Sequence, residues 1–335
     1  MSKLFRFIPG LILIPVLLCS CAKREMTQED SARLSELYQA TYKTKNPDEI
    51  DSLANQILSI TNNLSENIQV KALIVHAYSA KGFAADIRKA KTQAIDNLSK
   101  AAEKLPELKG SEFYIPLAYD IYFVFHHANL DDPARAEYWF KKLESLIGKA
   151  LNEPEYKNGT AEYRRYLQCK YTENIITRTE FLMEQKKRPD EAAQLLSSQL
   201  KKIEIWFGDE PAPCLMYGYD LASMLCFRQN QESTGCFYAE KCIHLAVKFD
   251  LLPKYCDRLL YKSWMRQKKY QQALDCCLTI LKLKPINSTG VTAYKKKLLI
   301  DAAAACRAMN QFRKEKEYLS QAEKLNLLPE ANISK

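Results

Sequence analysis

An all-α fold of stacked helical hairpins is what this sequence predicts, and three observations carry that expectation. Apolar residues recur at helical spacing almost throughout, as in Leu34, Leu37 and Tyr38, in Leu53, Ile57, Ile60 and Leu64, and in Leu195, Leu196, Leu200 and Ile203; no stretch alternates convincingly as a strand does. Glycine is scarce, nine in 335 residues, while long stretches are rich in Ala, Leu, Lys, Glu and Gln, which are good helix formers. Breakers are frequent and evenly scattered, so helices are short and turns are many.

Taken in order, the chain opens with an export signal. Lys3 and Arg6 precede an apolar run from Phe7 to Leu18, which is followed by Cys19, Ser20 and Cys21. The run is about 12 residues, and a membrane span needs roughly 20. Leu18 at −3, Ser20 at −1 and Cys21 at the cut resemble the bacterial lipoprotein signal, with Cys19 at −2 a mild departure. The resemblance implies that residues 1–20 are removed and that Cys21 becomes the lipidated first residue. It implies a place in the cell envelope of a Gram-negative bacterium, with the periplasm-facing outer membrane as the expectation. Residues 21–30 then read as a tether reaching at most about 30 Å.

The helical region spans 31–330. Asn46-Pro47-Asp48, Gly82, Pro106, Gly110-Ser111, Asp132-Pro133, Asn158-Gly159, Arg188-Pro189-Asp190, Pro211, Gly235, Pro253, Pro285 and Gly290 punctuate it. Asp or Ser before a helix and Pro at a boundary are start and stop signals, and the pattern predicts about 14 helices in seven hairpins. The longest irregular stretch is expected near 150–160.

A repeat is visible within this region. Residues 269–285 read Lys-Tyr-Gln-Gln-Ala-Leu-Asp-Cys-Cys-Leu-Thr-Ile-Leu-Lys-Leu-Lys-Pro. They resemble the second helix of a tetratricopeptide repeat (TPR): Tyr270 is the aromatic before the helix, Ala273 the small packing residue and Pro285 the closing proline. Leu260 and Trp264 fit the first helix, and Ala239 precedes Ala273 by 34 residues, one TPR period. Weaker echoes centre on Ala94, Ala136 and Ala192, at longer spacings. The resemblance covers 254–285 best, 220–253 and 289–328 fairly, and is looser before that. It implies a TPR-like right-handed α-solenoid, because one hairpin cannot bury its apolar face and hairpins therefore stack.

Composition narrows the function classes. The formal charge is +9, or +7 without Lys3 and Arg6. The excess suits either an acidic partner or simply Lys-rich solvated helix faces. There is no Arg-rich arm and no nucleic-acid signature. Nine cysteines follow the anchor, at 169, 214, 226, 236, 242, 256, 276, 277 and 306, with no Cys-x-x-Cys and no zinc-like Cys/His spacing. Buried thiols acting as small hydrophobes are the favoured reading; an exported address leaves disulfides as the alternative.

The search for chemistry finds no metalloprotease, phosphate-loop, nucleophile-elbow or dinucleotide motif. Ser198-Gln199-Leu200-Lys201 fits Ser-x-x-Lys but lacks its companion motifs. His126 and His127 are adjacent, so on a helix they diverge by about 100° and do not share a metal. No cofactor and no enzymatic activity are expected. Asp30-Ser31-Ala32 and Asp51-Ser52-Leu53 resemble a bacterial O-glycosylation motif, though Asp and Ser also start helices.

Two features suit binding. Arg258, Lys262 and Arg266 are spaced i, i+4, i+8 on the first helix of the best repeat and put three cations on one face. In TPR proteins the first helices line a concave groove, so the resemblance implies that Arg258, Lys262 and Arg266, with Tyr255, clamp a peptide carboxylate; a solvated basic face is the alternative. The second feature is Phe113, Tyr114, Tyr119, Tyr122, Phe123 and Phe125, mostly core, with a Tyr or two left for a groove. The expected function is a non-enzymatic scaffold that binds a protein or peptide, reaches the membrane through its lipid and binds no nucleic acid. An exported sensor domain acting in trans is the alternative.

Overall fold

The computed structural model describes residues 23–129, 131–152, 160–184, 187–208, 210–283 and 291–325. The signal segment, Cys21, Asn158-Gly159, Pro285 and Gly290 lie outside them. Among the described residues there are fourteen α-helices and no sheet, as the periodicity predicts. They pair in chain order as α1 Gln28–Lys43 with α2 Pro47–Thr61, α3 Ile68–Ile87 with α4 Lys91–Lys104, and α5 Tyr114–Ala128 with α6 Pro133–Asn152. Then come α7 Ala161–Glu184 with α8 Pro189–Phe207, α9 Pro213–Arg228 with α10 Glu232–Phe249, α11 Cys256–Arg266 with α12 Tyr270–Leu281, and α13 Val291–Ala308 with α14 Phe312–Lys324. A 3-10 turn, Leu105–Leu108, follows α4. The chain divides into two compact units, residues 1–149 and 150–335. Among the described residues no helix is long and apolar enough to cross a membrane.

The hairpins are TPR-like in how their helices meet. The fourth residue of each second helix is buried: Ile50, Ala94, Ala136, Ala192, Gly235, Ala273 and Glu315. A small side chain there lets the two helices of a hairpin approach closely, so the packing role read for Ala273 holds. The equivalent of Ala273 one hairpin earlier is Gly235 and not Ala239, which lies one turn further along α10. The step from α10 to α12 is therefore 38 residues.

Glycines deepen the same contact. Gly82 and Gly235 are not breakers; both lie inside helices. A Cβ on Gly82 would stand 2.6 Å from Leu98 Cγ across the α3/α4 contact, and one on Gly235 would stand 3.0 Å from the Phe227 ring. Non-bonded carbons settle at roughly 3.5–4.0 Å, so a methyl group does not fit at Gly82 unless Leu98 moves.

The turns inside the hairpins recur too. Lys89, Lys187, Asn230, Lys268 and Asn310 all have φ between 51° and 60°. The next amide returns to a carbonyl five residues back, from Ala90 to Ala85, Gln231 to Cys226, Lys269 to Trp264 and Gln311 to Cys306, at 2.8–2.9 Å. This left-handed closure satisfies carbonyls that the first helix leaves unpaired at its end.

The first unit has a core of Leu34, Leu37, Ile50, Ala54, Ile57, Leu64, Val70 and Ala77. Thr27 and Asp30 cap α1 reciprocally, and Asn46 and Asn67 cap α2 and α3. The segment before α1 is docked. The Arg24 amide donates to the Asn63 carbonyl at 3.1 Å, the Ser65 amide donates to the Arg24 carbonyl at 2.7 Å, and Lys23 pairs with Glu66 at 3.1 Å. In the second unit Leu167, Leu196, Leu200, Ile203, Leu221, Leu260, Leu274 and Ile280 are buried. Each such large apolar side chain contributes about 1.5–3 kcal/mol on burial.

Candidate functional site

In the first unit the first helices of three successive hairpins, α1, α3 and α5, border an open groove of about 510 Å³. Its floor is Ser79, Ala80, Phe83 and Ile87 of α3, with Thr41 and Tyr42 of α1 on one side and Asp120, Phe123 and Val124 of α5 on the other. Phe83 is 42% and Ile87 41% exposed, so the apolar strip faces solvent. Phe83, Ile87, Phe123 and Val124 continue into a second lobe of about 680 Å³, which ends at Asp86, Lys89, Lys91, His127 and Asp131.

A polar chain closes the first lobe. The Thr41 hydroxyl donates to the Tyr38 carbonyl at 2.7 Å and meets His76 Nε2 at 2.8 Å. Tyr42 Oη donates to Asp120 Oδ2 at 2.8 Å, linking α1 to α5. Burial holds His76 neutral and pulls its pKa down to about 3. Burial, and then the charge of Asp120, push the Tyr42 phenol well above the usual tyrosine range. At the far lobe Asp86 pairs with His127 at 3.2 Å and raises its pKa, while Lys91 pairs with Asp131. His126 is core, packed on Phe140 at 3.7 Å between ring centres, and burial lowers its pKa to about 4.

The aromatic segment divides evenly between core and partly exposed positions, and the groove residue it supplies is a phenylalanine rather than the expected tyrosine. Tyr119, Tyr122 and Phe125 are buried, and Phe123 is the member that lines the groove. Tyr42, Phe83 and Asp120 were not legible as a site, because Tyr42 and Asp120 meet across 78 residues of sequence. The only local signal is large apolar residues on first helices outside the core stripe.

In the second unit the basic ridge lies on α11, with Arg258, Lys262 and Arg266 all exposed and Tyr255 half-buried. Arg258 stacks over the Tyr294 ring of α13 at 5.8 Å, and Arg258 and Lys262 both stabilise the Asp301 carboxylate of that helix. Arg266 turns the other way and pairs with Glu232 at 3.0 Å. The Tyr255 hydroxyl donates to Glu184 at 3.3 Å. So Arg258 and Lys262 face the next first helix, while Arg266 is partly neutralised.

Behind the ridge, Asp220 of α9 is buried and accepts the amides of Lys254, Tyr255 and Cys256 at 2.7–3.2 Å. It caps α11 from a neighbouring helix. Burial raises its pKa, and the three amides oppose that shift. Cys242 and Cys256 lie beside it, with the three ligand-type atoms within 4.8 Å of one another. Ser198 of the Ser-x-x-Lys sequence is an exposed α8 residue that donates to its own helix at Leu195.

No family model and no curated protein matches the chain. Among solved structures it is similar to the apo form of RapI, at 12% identity over 87% of this chain and 95% of that one, TM-score 0.46. It is similar to BtubC (BKLC) from P. vanneervenii, at 10% identity over 90% and 96%, TM-score 0.44. A Rap protein complexed with competence and sporulation factor is similar at 12% identity over 90% and 98%, TM-score 0.39.

Proposed function

We propose that this chain is a non-enzymatic scaffold, lipid-anchored through Cys21 in the cell envelope, that holds a peptide segment of a partner protein along the first-helix face of its N-terminal unit. The observation that carries the reading is the groove over α1, α3 and α5. Its volume falls in the range of sites that enclose a ligand, and its lining is apolar with a few fixed polar groups. The occupant is a segment with apolar side chains for Phe83, Ile87 and Phe123 and a hydrogen-bonding group for the Tyr42–Asp120 link. On the second unit, Arg258, Lys262 and Tyr255 are the proposed contacts for an acidic group, with Arg266 contributing less because Glu232 already holds it. Anchoring, and a periplasm-facing place on the outer membrane, rest on the signal sequence.

The test is site-specific photo-crosslinking in intact cells, with the probe at Phe83 or Phe123 and, as control, at Phe237, which is 52% exposed on a second helix. A protein adduct from the groove positions that the control lacks supports the reading. Equal labelling from all three, or none from the groove, overturns it. The anchor is tested separately: Cys21→Ala should leave the protein in the soluble fraction, and a variant that still sediments with membranes removes that part of the proposal.

A further inference from the structure

We infer that the C-terminal unit is a disulfide-bonded structure in its mature form, with Cys242 joined to Cys256 and Cys169 to Cys214. The pairs are set by the packing of neighbouring hairpins. Cys242 lies in α10 and Cys256 is the first residue of α11; both are fully buried, and their sulfurs are within 4.8 Å of each other. Cys169 lies in α7 and Cys214 is the second residue of α9, and the two thiols stand close enough for each to perturb the other's titration. Rotation about the side-chain torsions is the kind of movement that brings such sulfurs to bonding distance. The two bonds chain together three consecutive hairpins, α7/α8, α9/α10 and α11/α12.

The environment of Cys169 favours the exchange reaction. Its side chain is only partly buried, and the hydrogen bond from Cys214, helped by Arg165 and Lys170, lowers its pKa to about 7. A partly exposed thiol with thiolate character is the attacking group in disulfide exchange. The thiolate attacks one sulfur of a disulfide reagent, an oxidised dithiol oxidoreductase or glutathione disulfide, and expels a thiolate. The second cysteine, losing its proton, then displaces the remaining half. Each pair gives up two electrons and two protons, and the reagent leaves as two thiols. Cys242 and Cys256 are sealed from solvent, so their bond closes while the chain folds.

A metal is the competing use of Asp220, Cys242 and Cys256. Both Asp220 oxygens already accept backbone amides, and the cluster offers three ligands where a closed zinc site takes four. The exported address proposed above supplies the oxidising partners, but the test does not depend on it.

The full-length protein is purified in detergent, refolded in a glutathione redox buffer, alkylated in denaturant without reductant, and digested with trypsin. Residues 242–248 and 255–258 form tryptic peptides with one cysteine each, so their cross-linked mass is unambiguous. The expected result is that mass, together with peptide 166–170 linked at Cys214 rather than Cys226, and alkylation confined to Cys226, Cys236, Cys276, Cys277 and Cys306 among the nine. Cys256→Ala should free Cys242 for alkylation and leave the Cys169–Cys214 link intact. Alkylation of all nine cysteines, a different pairing, or stoichiometric zinc retention lost in Cys256→Ala overturns the inference. None of these outcomes bears on peptide binding.

Discussion

Replacing Gly82 by alanine puts the hairpin contact to a direct test. In a helix interior the change alone is favourable by about 1 kcal/mol, because alanine loses less backbone entropy. Here the new methyl would stand 2.6 Å from Leu98 Cγ and 2.8 Å from its Cδ2, with the Ala94 carbonyl at 3.4 Å. Leu98 is fully buried and must yield by about 1 Å to restore normal contact. Overpacking of this kind costs about 1–3 kcal/mol, so the net expectation is a loss of up to about 2 kcal/mol. Leu98→Ala alone removes the obstacle and leaves a cavity, at about 2–5 kcal/mol. The double variant keeps the helix gain and sheds the clash. It should therefore be more stable than the sum of the single changes by about 1–3 kcal/mol. Urea unfolding followed by far-UV ellipticity reads all four proteins. Strict additivity, or a Gly82→Ala protein more stable than wild type, would refute the argument that this glycine exists for close approach.

Three further outcomes follow from the same geometry. Lys268→Gly should raise the melting temperature of the second unit, by up to about 1 kcal/mol in stability, because φ of 57° suits glycine better than lysine; a lower melting temperature contradicts the turn assignment. Asp220→Ala should cost about 2–4 kcal/mol, since three amides at the start of α11 lose a charged acceptor, and thermal melts of the variant check this. His76 and His126 are held neutral with depressed pKa values, so the unfolded chain takes up their protons first. Their contribution is present above pH 6.5 and is lost as the pH falls from there toward about 4 for His126 and about 3 for His76, by about 1.4 kcal/mol per pH unit for each. His126→Phe should flatten that slope by one proton, and an unchanged slope in denaturation at stepped pH counts against the burial argument.

The helices were legible because their apolar spacing is local and their starts carry Pro47, Pro133 and Pro189 in first-turn positions. What sequence misread was local residues acting in non-local roles. Gly82 and Gly235 look like breakers, and only the partners Leu98 and Phe227 across the hairpin reveal packing positions. The recurring turn has no glycine signal in the sequence, because its left-handed residue is lysine or asparagine in every described hairpin where it occurs. Taking Ala239 for the repeat anchor was a one-turn slip along α10, natural when both 235 and 239 are small. The basic spacing on α11 was readable, but Glu232, which draws Arg266 away, lies 34 residues upstream. The groove was least readable, since its walls come from three helices and its polar link spans two hairpins.

The docking of residues 23–27 against the first hairpin changes what an acyl chain on Cys21 would impose. Nine free residues would allow a leash of about 30 Å, but with Arg24 and Lys23 fixed to Asn63, Ser65 and Glu66, the slack is about two residues, or roughly 7 Å. Were Cys21 acylated as proposed, the first hairpin would be held close to the bilayer surface, and the search for a partner would become lateral diffusion in a plane. A segment displayed from the same leaflet at matching height meets the groove at an effective concentration on the order of millimolar, so that even modest intrinsic affinity suffices. A segment held tens of ångströms above the headgroups meets nothing, however well its side chains fit. For the anchored protein proposed here, height above the membrane would act as a selectivity filter, set by two backbone hydrogen bonds and one ion pair at the start of the fold.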